Sequence, residues 1–145
     1  DLAHASEALI DDVLARTDGP VVVSHTGVRA TCDSPRNLSD RHIEAVAARE
    51  GVIGIGLWET ALCGAGPAAA AAAMRHVADR VGVEHVALGT DFDGTVSVPF
   101  DATGLPLLTE ALLDEGFSTR EIEQMMGENV IRVLRRTLPS QKPRE

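Results

Sequence analysis

Three side chains stand where short apolar stretches give way to polar loops, a fourth follows in one of those loops, and their types suit hydrolytic metal chemistry. His4 follows "DLA" and His25 follows "VVVS", twenty-one residues apart from position 4 to position 25. Asp91 closes "HVALGT", and Arg36 lies in the loop "DSPRN" that follows His25. Imidazole and carboxylate together are the donors that zinc and its neighbours take, and a carboxylate beside an activated water can hold or release a proton. A guanidinium fork matches a carboxylate bidentately. Each residue also has an ordinary reading: a satisfied core histidine, a helix-capping aspartate, a solvated loop arginine. Residue type alone leaves these open, although a second histidine in the equivalent place one unit earlier strengthens the ligand reading.

Strands and helices must position these groups. Apolar runs at 21–25, 52–58 and 85–91 are nearly continuous, the pattern of strands buried on both faces and hence of a parallel sheet. Counting "LAH" as the end of a further strand gives four. Helical patterns separate them: Leu9, Ile10, Val13 and Leu14; then Ile43, Val46 and Ala47; then an alanine-rich run opened by Pro67 and closed by Gly82. "TGLPLLTEALLDEG" reads as another helix, and Ser118 with Glu121 forms a capping box ahead of a helix that Gly127 divides. Strand starts about thirty residues apart indicate βαβ units with right-handed crossovers. The expected fold is therefore α/β, the C-terminal half of a (β/α)8 barrel, as one partial domain over 1–138 with a flexible tail at 139–145. A closed barrel needs about 250 residues.

At the strand ends of such a barrel stand His4, His25, the Trp58-Glu59 pair and Asp91, all converging on one mouth. Glu59 suits a ligand, a contact for a substrate ammonium, or a cap. Asp93-Gly94 has the chemistry of a turn. His42 and His76 lie in helical patterns with charged neighbours and are expected on solvated faces, whereas His85 begins its strand, away from the mouth.

The chain has 145 residues with 13 Lys and Arg against 22 Asp and Glu, a formal net charge of −9. Nucleic acid is an unfavourable partner for such a surface. No apolar run is long enough to span a bilayer, and no signal peptide is evident. Cys32 and Cys63 form no disulfide framework and no zinc motif, so reduced thiols and a cytoplasmic location are expected.

The ordered set "LAHAS", "SHTGVRATCDSPRN", "VEHVALGTDFDG" and "MMGENVIRVL" resembles the membrane (renal) dipeptidases, a branch of the metal-dependent amidohydrolase-like barrels, over nearly the whole chain. That resemblance implies hydrolysis of dipeptides at a binuclear, usually zinc, centre. It implies that His4 and His25 bind one of two zinc ions, that Arg36 receives the dipeptide's terminal carboxylate, and that Asp91 handles the proton during cleavage by a metal-activated hydroxide. The family's other ligands, a His-x-Asp pair and a bridging glutamate, belong to strands ahead of this segment. The resemblance thus implies a chain that supplies half a site, is inactive alone, and partners the missing N-terminal half of the barrel, with a homodimer also possible. Two alternatives stand beside it: a related barrel hydrolase for another amide, ester or lactone, and a non-catalytic module that assembles through its open strand edges.

Overall fold

The computed structural model describes residues 1–64 and 66–139. Three parallel strands, β1 (Val22–Thr26), β2 (Val52–Ile55) and β3 (Val86–Leu88), lie in the order β1-β2-β3. Val22 pairs with Val52 and Ile53 with Val86, so the starts of the three strands align and their C-terminal ends open onto one face. Every residue of β2 is buried, as its continuous apolar run requires of a central strand covered on both sides.

Helices fill the connections. Helix α1 (Glu7–Arg16) is capped by the Ser6 hydroxyl; α2 is Asp40–Ala47, α3 is the single turn Glu59–Leu62, and α4 is Pro67–Val81. Proline at the start of α4 gives up no intrahelical bond, and Gly82 at its end has a φ of 102° that side-chain-bearing residues resist. Met74 and Val77 of α4 belong to the main buried cluster with Ile53, Ile55 and Val86. Beyond β3 the chain runs through a long loop into α5 (Leu105–Asp114), α6 (Thr119–Glu123) and α7 (Asn129–Thr137). The Ser118–Glu121 capping box forms as expected, and the helix is interrupted across Gln124–Glu128 by a wide turn in which Gly127 leaves helical geometry.

Helix α7 passes under the N-terminal ends of the strands, where Val133 meets Val52 and Ala87. Buried Asn129 donates to the carbonyls of Val83 and Val86, each at 2.8 Å. Arg132 donates to the carbonyls of Glu50 and Glu84, and His85 Nδ1 lies 2.8 Å from the Gly51 carbonyl. Arg49 closes the same end against the carbonyls of Leu14 and Thr17. These bonds satisfy backbone acceptors that no neighbouring strand reaches.

Two sequence expectations change here. The "LAH" segment is not a strand: Leu2 makes one ladder bond, from its N–H to the Val22 carbonyl at 2.7 Å, and the chain then turns at His4, whose φ is 63°. His42 is not on a solvated face, and His76 is half-buried. His42 is 1% exposed, with Nε2 3.2 Å from Asp11 of α1 and Nδ1 3.1 Å from the Ser39 hydroxyl; His76 Nε2 is 2.8 Å from Asp40. Asp11 and Asp40 reach the two rings from other helices, which lets His42 be buried and His76 be half-buried where a helical pattern alone assigns them to solvent. Of the expected tail, residues 140–145 lie outside the described residues.

Candidate metal centre

The C-terminal ends of the strands carry the groups singled out in the sequence. His25 is the penultimate residue of β1, its ring fixed by a 2.9 Å contact between Nδ1 and the hydroxyl of Ser24. That contact leaves Nε2 directed toward the opening, where it faces His4 Nε2 at 2.8 Å. Asp91 lies just beyond β3, and its Oδ2 is 3.8 Å from His25 Nε2. The three groups, distant in sequence, are therefore neighbours at one strand-end face.

Backbone conformation at this face is unusual. His4 and Asp91 both have positive φ, 63° and 55°, in the left-handed region that non-glycine residues enter at a cost of roughly 1 kcal/mol or more. Close contacts in its turn sustain the second. The Asp91 carboxylate lies against Gly94, where a Cβ would overlap it, and the Gly94 N–H returns to the Asp91 carbonyl at 3.0 Å. The "DFDG" turn thus serves to seat Asp91 as well as to reverse the chain.

Arg36 reaches the same face. Its guanidinium donates to the His25 carbonyl at 3.0 Å and lies over the Trp58 ring, with Cζ 5.7 Å from the ring centroid. Trp58 also meets His25 edge-on at 5.9 Å between centroids. The indole is nearly buried and occupies the space that a side chain at position 56 would fill, so Gly56 seats it as Gly94 seats Asp91. Burial pushes the Arg36 pKa below its ordinary value, while the nearby Asp91 charge draws it back up. A guanidinium in that setting stays charged, and it keeps donors beyond those spent on the backbone. Glu59, open in role from sequence, begins α3 with its side chain exposed, beside Trp58 and Val96 at the rim of a shallow pocket.

Sequence reasoning missed the covalent link across this face. Cys32 and Cys63 form a disulfide, which corrects the expectation of reduced thiols. It ties the loop bearing Arg36 to the end of α3, just after Trp58. Buried Asn37 reinforces the tie by donating to the carbonyls of Cys32 and Ala61, each at 2.8 Å. Two cysteines 31 residues apart carry no recognisable spacing; only their approach in the fold reveals the pairing.

The imidazole pair suits a divalent metal such as zinc in donor type and convergence. Among the described residues no group of three or more His, Cys, Asp or Glu side chains is placed to hold a metal ion. The chain thus offers two nitrogen donors and a nearby carboxylate, and a catalytic zinc normally takes three protein ligands.

The family description "Membrane dipeptidase (Peptidase family M19)" matches residues 1–143. This chain belongs to the membrane dipeptidase family. Dipeptidase verJ of Clonostachys rogersoniana is 37% identical over 139 residues, covering 92% of this chain and 36% of the relative. Dipeptidase tcpJ of Claviceps purpurea is 35% identical over 145 residues, covering 93% of this chain and 33% of its own length. A solved metallo peptidase from Rhodobacter sphaeroides, liganded with a phosphinate mimic of the dipeptide L-Ala-D-Ala, superposes with a TM-score of 0.88 at 32% identity; the match covers 95% of this chain and 42% of that one. The M19 segment described by this chain therefore spans less than half the length of these relatives, and its parallel α/β architecture is that of a partial barrel. No helix among the described residues is long and apolar enough to cross a membrane.

Proposed function

We propose that this chain contributes the C-terminal half of a zinc-dependent dipeptidase site and is inactive without the rest of the barrel. The observation that carries the reading is the meeting of His4 and His25 through their Nε2 atoms at 2.8 Å, with Asp91 and Arg36 on the same face of an M19 chain. His4 and His25 would hold one of two zinc ions. When bound, the zinc pair supplies a nucleophile from water at neutral pH and polarises the peptide carbonyl. The dipeptide substrate class is supported by the dipeptidase names of the relatives and by the dipeptide mimic held by the Rhodobacter sphaeroides enzyme.

The chain's own residues then divide the work. Arg36, buttressed by Trp58 and the His25 carbonyl, offers its free donors to the substrate's terminal carboxylate and so sets the distance from that carboxylate to the scissile bond. Asp91, beside His25 and seated over Gly94, takes a proton from the attacking water and returns it to the departing amine. The disulfide keeps Arg36 and Trp58 in register. It also removes the basis for a cytoplasmic location, since stable disulfides belong to oxidising compartments, and we assign the chain to such a compartment.

Combining this chain with a polypeptide that carries the family's His-x-Asp and glutamate strands tests the reading. Zinc-dependent dipeptide hydrolysis is expected from the pair and from neither half alone, and Arg36→Ala should raise KM for dipeptides about 10-fold or more with a smaller effect on kcat. A verified complex with bound zinc that cleaves no dipeptide overturns the proposal. An unchanged KM in Arg36→Ala would instead favour an amide, ester or lactone without a free carboxylate.

A further inference from the structure

The hydrogen-bond ladder beside His4 carries an unusual substitution. In a parallel ladder a residue that donates its N–H to one strand neighbour also accepts, on its own carbonyl, the N–H two residues further along. Leu2 begins this way, donating to the Val22 carbonyl at 2.7 Å, and the Ser24 N–H should then return to the Leu2 carbonyl. The Leu2 carbonyl instead accepts from Ala5 at 3.1 Å and closes the turn in which His4 adopts a φ of 63°. The Ser24 N–H goes to the Asp1 side chain, whose Oδ1 accepts it at 3.0 Å and accepts the Ala3 N–H at 3.0 Å as well.

We propose that Asp1 is a positioning residue for the His4–His25 pair: its carboxylate replaces the Leu2 carbonyl on the edge of β1, so that the chain can leave the sheet early and present His4 to His25. The proposal rests on the metal-binding reading above and assigns a part to a residue outside the set of ligands. Its geometry is economical in one respect. Ser24 receives the clip on its N–H and holds His25 Nδ1 with its hydroxyl at 2.9 Å, so one residue anchors both rings. Without the carboxylate oxygen, the Ser24 N–H loses its acceptor, Ala3 is freed, and the left-handed backbone at His4 can relax and carry its ring away from His25.

The test uses the 145-residue chain and four variants, Asp1→Ala, Asp1→Asn, His4→Ala and His25→Ala, with zinc itself as the probe. Three quantities are read: zinc affinity by competition with a chromophoric chelator, Ser24 amide exchange, and the imidazole-to-imidazole NOE between His4 and His25. Asp1→Ala should lower zinc affinity about 10-fold or more, the range found when partners behind metal ligands are removed. It should also speed Ser24 exchange and weaken the NOE. Asp1→Asn keeps an oxygen acceptor and should restore all three most of the way. His4→Ala and His25→Ala should each lose zinc affinity. If those two variants bind zinc like the parent, the metal reading fails, while the NOE and exchange data still judge the clip. If they lose zinc but Asp1→Ala keeps the parent's affinity and NOE, the proposal is overturned, whatever happens to Ser24 exchange.

Discussion

At the N-terminal ends of β1–β3, side chains reach across to satisfy backbone carbonyls; at the C-terminal ends, side chains point at one another. Asn129, Arg132, Arg49 and His85 are spent on the carbonyls of the lower end, a use that closes hydrogen bonds within the fold. The upper end gathers His4, His25, Asp91 and Arg36, two of them on left-handed backbone, with only part of their bonding capacity used within the chain. Closure at one end is what makes an unsaturated opposite end tolerable, because the sheet's register does not depend on the groups reserved for chemistry.

Substitutions can pull this division apart. Asp91→Asn should cut kcat of the reassembled dipeptidase by about 100-fold or more, since a neutral amide cannot carry the proton, while leaving the chain's urea midpoint near its starting value. A matched loss of stability would show that Asp91 serves the fold instead. Reduction of Cys32–Cys63 should cost about 4 kcal/mol in a urea titration, given the 31-residue separation, and it is the one change at the upper end that should affect both stability and KM. Asn129→Ala, at the lower end, orphans two buried carbonyl bonds and should destabilise the chain by about 2 kcal/mol without altering zinc affinity.

The smallest effect concerns pH and touches neither end of the sheet. The Ser118 hydroxyl and N–H hold the Glu121 carboxyl below its usual value. A depressed carboxylate pKa stabilises the fold fully above the ordinary range and loses that contribution as pH falls through the folded value. Glu121→Gln should therefore flatten the acid side of a stability-against-pH profile by a small amount, measured as the shift in urea midpoint between neutral and acid solution.

Much of this plan is legible in the sequence. Three nearly continuous apolar runs located the strands, because burial on both faces leaves no room for polar alternation. The spacing of His4 and His25 and the "DFDG" context of Asp91 singled out residues that do meet in space. What escaped depends on partners far along the chain. His42 looked solvated because Asp11, the carboxylate that lets it be buried, lies on another helix. Cys32 and Cys63 looked unrelated because no local rule joins them. "LAH" looked like a strand because a side-chain oxygen taking over a ladder bond leaves no mark on the hydrophobic pattern. Arg36 stands in the loop after His25 in the sequence, but its seat on Trp58 depends on the loops after β1 and β2 folding toward each other.

The disulfide has a consequence for the order in which the upper end can be assembled. Its covalent ring encloses Arg36 and Trp58 and excludes His4, His25 and Asp91. In the oxidised, unfolded chain Arg36 and Trp58 remain confined to a short loop, whereas the two histidines and Asp91 disperse along open chain. The pair proposed to meet substrate is thus kept together by topology and the groups proposed to meet metal only by conformation, so refolding of the oxidised chain should regain Trp58 burial ahead of zinc binding.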